Sequence, residues 1–217
     1  MTKSRPPLTA ADRLLSSIDH GLRTVFGKPT AARSSPAKAV SGPQPLLTAE
    51  QAKLSAALMR VNHVGEICAQ ALYQSQALVT RNAGLRAHFE QAAQEELDHL
   101  AWTDQRLDEL GGRPSYLTPL WYGGAFAIGS LAGLAGDRVS LGFVVETERQ
   151  VERHLASHLD RLPIEDLASR AIVAQMKEEE ARHADEALAA GARILPKPFQ
   201  GLMKLVAGAM TRTAHYV

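Results

Sequence analysis

The motif Glu-x-x-His occurs twice in this chain, from Glu96 to His99 and from Glu180 to His183. Residues three positions apart share one face of an α-helix, so the glutamate and the histidine of each motif can bind the same metal ion. Both motifs fall on apolar stripes of helical period, where a buried carboxylate is costly unless it is paired or coordinates a metal. The two motifs therefore indicate a metal site in the core of a helical bundle.

A glutamate on the preceding predicted helix accompanies the first motif. Thr48 and Gln51 have the spacing of a capping box and predict the start of a long helix over about residues 49–79. Glu66 lies beside the apolar stripe of this helix. A second helix, over about residues 85–110, follows and contains the first motif.

The second half of the chain repeats this order. A helix predicted over about residues 139–161 has Glu148 on its apolar stripe, and a helix over about residues 164–190 contains the second motif. Glu152 lies one turn from Glu148 on nearly the same face, so the periodicity favours Glu148 but leaves Glu152 as an alternative. A last helix is predicted from about residue 198 to the C-terminus.

The two halves thus form a weak internal repeat. Glu66 precedes Glu96 by 30 residues, and Glu148 precedes Glu180 by 32. This arrangement is typical of ferritin-like bundles that hold two iron or two manganese ions. Four carboxylates would balance two divalent cations, whereas without metal they would repel one another and bind protons. The predicted fold class is all-α, a ferritin-like helix bundle with additional membrane-associating helices.

Other ionisable residues near the motifs are expected to have different roles. Glu95, Glu178 and Glu179 are predicted on solvated or intermediate faces of their helices. His154 follows Glu148 on the same predicted helix. It could hydrogen-bond a metal ligand, or it could be a satisfied core histidine.

The composition excludes several classes of function. Lys and Arg (24) nearly balance Asp and Glu (23), and aromatic residues are few, so no nucleic-acid partner is expected. The single cysteine, Cys68, excludes thiolate clusters such as zinc fingers or iron–sulfur sites. Metals bound by oxygen and nitrogen remain.

The N-terminal part is predicted to lie outside the metal-binding domain. Residues 10–26 could form an amphipathic helix, and residues 27–45 are rich in Pro, Ser, Ala and Gly and indicate a flexible linker. The predicted division is therefore 1–45 for the helix and linker, and 46–217 for the ferritin-like domain.

An uncharged segment, residues 114–136, connects the two halves. Its length would suffice to span a membrane, but it is rich in glycine and has Trp121 next to Tyr122, as interfacial segments often do. An interfacial segment is favoured over a true span. The third alternative is a buried helix of an oligomer.

Taken together, these residues resemble the demethoxyubiquinone hydroxylase family, the di-iron monooxygenases of ubiquinone biosynthesis. The resemblance covers the chain from about residue 46 to the C-terminus. The segments that carry it are 60–66 (RVNHVGE), 95–100 (EELDHL), Glu148 with His154 six residues later, 179–183 (EEARH), and 202–204 with 210–214 in the tail.

The resemblance implies which residues bind two iron ions per chain. The implied ligands are Glu66, Glu96, His99, Glu148, Glu180 and His183. It selects Glu148 over Glu152 and implies that His154 lies just outside the ligands, near the substrate. One position departs from the family pattern, because Arg149 stands where the family has an acidic residue.

The resemblance also implies the reaction and its partners. It implies dioxygen-dependent hydroxylation of the ring of demethoxyubiquinol, a ubiquinone-type lipid. The expected location is peripheral, at the cytoplasmic side of a bacterial cell membrane or, in a eukaryote, at the mitochondrial inner membrane. Assembly into a homo-oligomer, or with other ubiquinone-biosynthesis proteins, is left open. The competing functions are a ferritin-like iron-storage protein and a soluble di-metal peroxidase or catalase.

Overall fold

A computed structural model of the protein describes residues 9–40, 42 and 45–217. Within these residues it contains α-helices, one short 3-10 helix at Pro36–Ala39, and no β-strand. The helices are α1 (Ala10–Phe26), α2 (Ala49–Val79), α3 (Ala83–Glu109), α4 (Thr118–Leu134), α5 (Asp137–Arg161), α6 (Leu167–Ala189) and α7 (Lys197–Tyr216). The prediction of an all-α bundle is confirmed.

The start of α2 illustrates how local sequence determines a helix boundary. The Thr48 side chain accepts a hydrogen bond from the backbone N–H of Gln51 at 3.2 Å, and the Gln51 side chain accepts one from the N–H of Thr48 at 2.9 Å. This reciprocal capping satisfies two backbone donors that the first turn of a helix leaves unpaired. The predicted capping box is therefore present.

Four helices form the bundle around the candidate site. Helix α2 packs against α3, and α5 packs against α6, so the chain forms two helical hairpins. The hairpins meet through contacts of α3 with α6 and of α2 with α5, while α4 connects them and packs on α2. One long connection between two helical hairpins is characteristic of ferritin-like bundles.

The core of the bundle consists of two apolar layers. Buried residues at one end come from all four helices and include Leu58, Leu107, Leu155 and Met176. At the other end the four helices contribute Tyr73, Phe89, Val144, and Ala187. On each of the four helices, the predicted metal ligands lie between a residue of one layer and a residue of the other. Apolar side chains therefore enclose the ligands from both ends of the bundle.

Helix α4 lies close to α2 because two of its glycines face that helix. A Cβ atom added at Gly129 would collide with Ser75, and one added at Gly133 would collide with Val79. The glycines of the uncharged segment therefore allow close helix packing. No helix in the described part of the chain is long and apolar enough to cross a membrane.

The predicted linker contains ordered contacts with the bundle. Lys28 forms an exposed ion pair with Asp108 at 3.1 Å, and Arg33 binds Asp98 and Glu179. Residues 41, 43 and 44 of the predicted linker, and residues 1–8, lie outside the described residues. The division into domains at residue 45 stays a prediction.

Candidate metal centre

The bundle brings the six predicted ligands together at its centre. Each of them is at most 3% exposed: Glu66, Glu96, His99, Glu148, Glu180 and His183. Each of α2 and α5 contributes one glutamate, and each of α3 and α6 contributes a glutamate and a histidine. The repeat in the sequence is therefore a repeat in space, with the two Glu-x-x-His motifs facing each other.

These residues form two groups that share two glutamates. Glu66 and His99 belong to the first group and Glu148 and His183 to the second, while Glu96 and Glu180 belong to both. Within each group one ligand atom from each residue lies within 4.8 Å of the others. Buried carboxylate and imidazole groups at this spacing could hold a metal ion.

Both histidines turn the same ring nitrogen toward the glutamates. Nδ1 of His99 lies 3.1 Å from Oε2 of Glu96 and 3.4 Å from Oε1 of Glu180. Nδ1 of His183 lies 2.9 Å from Oε1 of Glu96 and 3.6 Å from Oε2 of Glu180. Nδ1 is thus the nitrogen of each ring that is available to a metal ion.

The other nitrogen of each ring, Nε2, faces the glutamate that directly precedes the other motif. Nε2 of His99 lies 2.6 Å from Oε2 of Glu179, and Nε2 of His183 lies 3.1 Å from Oε2 of Glu95. An ionised carboxylate only accepts hydrogen bonds, so Nε2 of each ring carries a proton, and Nδ1 is the nitrogen that would bind a metal ion after losing its own proton. The glutamate that precedes each motif therefore orients the histidine of the other motif.

The prediction for Glu179 was wrong, because this residue is buried rather than solvated. It is 6% exposed, and Arg33 and His99 surround its carboxylate. Helical periodicity places Glu179 at the edge of the solvated face of α6. In the structure, contacts with the N-terminal segment and with α3 bury it. The doubled acid in 95–96 and 179–180 was the available sequence signal for this pair of outer glutamates.

A further contact that the sequence did not indicate involves Tyr73 on α2. Its hydroxyl donates a hydrogen bond to Oε1 of Glu148 at 2.6 Å, and the ring is 2% exposed. A buried tyrosine hydroxyl usually finds a partner, which is the only signal in the sequence that could have suggested this contact. The bond fixes one oxygen of Glu148 and leaves the other for the second group.

Burial and the neighbouring charged groups shift the pKa values of the glutamates in the site. Burial raises the pKa of Glu66 and of Glu148 well above their usual values, and the carboxylates of Glu96 and Glu180 raise both further. Burial also opposes the ionisation of Glu96, but the two histidines outweigh it and hold the pKa of that carboxyl well below its usual range.

The histidines shift in the opposite direction. Burial would lower their pKa, but the surrounding carboxylates raise the pKa of His99 well above its usual value and that of His183 to about 12. Without a metal ion the cluster therefore holds extra protons. Metal binding must displace them, because metal ligands bind in their deprotonated forms.

Four atoms of the six residues make no well-aligned hydrogen bond with the described residues, although some of them have a close neighbour of opposite charge. They are Oε2 of Glu66, Oε1 of Glu96, Oε2 of Glu180 and Nδ1 of His183. Buried polar atoms nearly always form well-aligned hydrogen bonds, so four atoms without one in a single cluster are in keeping with a site for a bound ion. Their oxygen and nitrogen chemistry fits first-row metal ions such as iron or manganese.

Glu152 and His154 lie away from both groups. Glu152 binds Arg149 at 3.0 Å with a partly exposed side chain, whereas Glu148 is buried in the second group. The His154 ring packs against His158 with their centroids 4.0 Å apart. The structure does not bring His154 to the six residues, and its role beside the ligands stays a prediction.

Comparison with known proteins identifies the family. The family model described as "Ubiquinone biosynthesis protein COQ7" matches residues 53–214, which include all six of these buried residues. A protein of Polaromonas sp. (strain JS666) named 3-demethoxyubiquinol 3-hydroxylase is 62% identical over 208 residues, covering 96% of this chain and 99% of its own.

Proteins of the same name from two further organisms are similar over their whole length. The one from Verminephrobacter eiseniae is 60% identical over 210 residues and covers 97% of this chain and 100% of its own. The one from Methylibium petroleiphilum is also 60% identical over 210 residues, with 97% and 99% covered. With the family model matching most of its length, this chain belongs to the COQ7 family of ubiquinone biosynthesis proteins.

Proposed function

We propose that this protein is a 3-demethoxyubiquinol 3-hydroxylase that uses a di-iron centre and dioxygen. The observation that carries the proposal is the pair of buried Glu/His groups sharing Glu96 and Glu180 in a chain of this family. Two ferrous ions held by these residues would supply two electrons, so that with two protons one atom of dioxygen enters the quinol ring and the other leaves as water. The substrate is the quinol lipid in the relatives' name.

Six residues would hold the two ions. Glu66 and His99 would bind one ion, Glu148 and His183 the other, and Glu96 and Glu180 would bridge them. Bound ferrous ions would supply electrons and open coordination positions for activating dioxygen. The four carboxylates would balance the charge of two divalent ions, and the two imidazoles would bind as neutral ligands.

The surrounding residues set the orientation and dryness of the site. Glu179 and Glu95 hold the two imidazole rings through Nε2, and Tyr73 holds one oxygen of Glu148. The apolar layers above and below keep water away, which strengthens every electrostatic interaction at the centre. A quinol ring is electron-rich, so a mild electrophilic oxidant suffices, and no strong C–H bond of an alkane has to be broken.

Quinone analysis of a deletion strain tests this function. Cells lacking the protein should accumulate demethoxyubiquinone and lose ubiquinone, because the missing hydroxyl group is the one whose oxygen is later methylated. Quinones extracted from the strain, with and without the wild-type gene, would be measured by liquid chromatography and mass spectrometry. A normal ubiquinone pool, in a strain with no other hydroxylase for this step, would favour iron storage or a di-metal peroxidase instead.

A lipid substrate requires contact with the membrane, and three neighbouring helices could provide it. Tyr122 of α4 lies over Gly21 of α1, and Trp121 of α4 shares a small apolar cluster with Met210 of α7. Large apolar side chains of all three helices are exposed, among them Leu15, Phe26, Leu120, Leu131, Leu134, Phe199, Leu202 and Leu205. α7 also has three basic residues and no acidic one, as helices that bind anionic lipid often do.

Replacing Leu131 and Leu134 with serine should weaken membrane binding. These side chains are 67% and 71% exposed, so their loss removes apolar contact with lipid and little packing. Trp121 is a poorer target, because it packs in the small apolar cluster that also contains Val61 and Val64 of α2. The measurement is co-sedimentation with anionic liposomes.

The matched control replaces Leu46 and Ile164, which are 97% and 69% exposed near the N-terminal end of α2. Serine at these two positions should leave binding unchanged. Equal loss in both variants, or wild-type protein that ignores the liposomes, would contradict a membrane surface formed by α1, α4 and α7.

A further inference from the structure

The two halves of the metal centre differ in how their outer glutamates are held. In the second half, Arg182 directly precedes His183 and binds Glu95 at 2.6 Å, the glutamate that orients His183. The equivalent position in the first half is Asp98, directly before His99. An aspartate cannot pair with Glu179, the glutamate that orients His99, because both side chains are acidic.

A cation from the N-terminal segment fills this gap. Nη1 and Nη2 of Arg33 lie 2.5 and 2.9 Å from the two carboxylate oxygens of Glu179. Nε of the same guanidinium lies 2.5 Å from Oδ2 of Asp98. One planar group thus joins the two acids, and a guanidinium suits this task because its donors form a rigid fork.

Asp98 and Trp102 fix the place of Arg33 on the bundle. The other oxygen of Asp98 accepts hydrogen bonds from the backbone N–H groups of Ala32 and Arg33, at 2.6 and 3.3 Å. The indole N–H of Trp102 donates to the carbonyl of Arg33 at 3.3 Å, and the guanidinium lies 4.9 Å from the centre of that ring. The backbone and the side chain of Arg33 are therefore both held by α3.

We propose that Arg33 is a positioning residue for His99, which it orients through Glu179. The contacts form a chain from the guanidinium to the Glu179 carboxylate, then to Nε2 of His99, and through the ring to Nδ1 at the first ligand group. Residues that precede the region matched by the family model thereby complete the environment of one metal site. This inference rests on the proposed metal centre.

The test uses Co²⁺ as a probe and needs no catalytic turnover. Full-length apoprotein would be titrated anaerobically, with calorimetry for affinity and visible absorption for the geometry at each ion. Arg33→Ala and Arg33→Gln should weaken one of the two sites by about 10-fold, the low end of the usual effect of losing the direct partner of a metal-bound histidine, because Arg33 acts on His99 through Glu179. Arg33→Lys should give an intermediate affinity, since it keeps the charge but not the fork.

Two comparisons separate positioning from general attachment of the segment. Lys28→Ala removes another ion pair that attaches the same segment and should leave both Co²⁺ affinities unchanged. Because Arg33 acts through Glu179, adding Arg33→Ala to Glu179→Gln should cost little beyond the Glu179→Gln change alone.

Either of two results would overturn the proposal. One is wild-type affinity at both sites in Arg33→Ala. The other is an equal weakening of both sites together with a lower melting temperature of the apoprotein, which would mean a merely structural role. If the expected Co²⁺ pattern is found but the wild-type protein hydroxylates no quinol, the inference stands and the proposed function fails.

Discussion

Glu180→Gln should lose much of the bound iron while leaving the fold intact. Glu180 belongs to both ligand groups and is 1% exposed. Glutamine at this position would remove a charged ligand from both ions, and because its side chain has nearly the same size, it would leave no cavity. Wild-type protein loaded anaerobically should contain close to two irons per chain, and the variant one or fewer. Iron would be measured by elemental analysis after gel filtration, and Glu96→Gln should behave in the same way.

The same variant should lose most of the stabilisation that iron gives to the wild-type protein. Metal that binds only the folded state adds about 2.7 kcal/mol at a free concentration 100 times Kd, so wild-type protein should melt higher with ferrous iron. Glu180→Gln should show little of this rise, because it lacks a carboxylate that belongs to both ligand groups. Thermal unfolding with and without iron measures both effects.

Glu178→Gln is the matched control for this experiment. Glu178 lies on the same helix, two residues away, and its side chain is exposed. It should retain the full iron content and the full rise in melting temperature. Full occupancy in both Glu96→Gln and Glu180→Gln would show that the ligand assignment is wrong.

Glu148→Ala should fail to restore ubiquinone in a deletion strain, whereas Glu152→Ala should largely succeed. Both acids lie on α5 one turn apart, but only Glu148 belongs to a ligand group, and Glu152 binds Arg149 at the surface. Loss of a direct ligand should exceed the effect of losing an outer partner, so ubiquinone formation should fall by more than about 100-fold. The measurement is the ratio of demethoxyubiquinone to ubiquinone.

Glu148→Gln guards against a defect in folding. Its amide keeps the volume of the side chain and can still accept the hydrogen bond of Tyr73, so the bundle should form. It should nevertheless fail to restore ubiquinone, with protein levels checked by immunoblot. Restoration by Glu148→Gln, or failure of Glu152→Ala at normal protein levels, would contradict the role given to Glu148.

The sequence by itself determined the helices and the type of site. Helix boundaries depend on local features, such as the capping box at Thr48 and Gln51, and these acted as predicted. Apolar periodicity also placed Glu96 and Glu180 toward the core, because residues three or four apart share a face of a helix wherever the helix packs. A pair of Glu-x-x-His motifs on core stripes therefore sufficed to predict a buried Glu/His cluster.

Periodicity could not rank residues at the edge of a stripe. Glu148 and Glu152 differ by one turn, and the sequence pattern alone left both open. The packing of α5 against the bundle decided between them, since only one of two neighbouring turns can reach the second ligand group. For the same reason the prediction for Glu179 was wrong, because the residues that bury it, Arg33 and His99, are distant in sequence.

Only the tertiary structure decided which groups hold the ligands in place. Arg33 reaches Glu179 across 146 residues of sequence, and Tyr73 reaches Glu148 across 75. No local pattern encodes such contacts, because they depend on how separate helices and a segment of irregular backbone are packed together. The repeated Glu and Glu-x-x-His pattern in the sequence determines which chemical groups form the site, whereas the tertiary structure determines how its histidines are oriented.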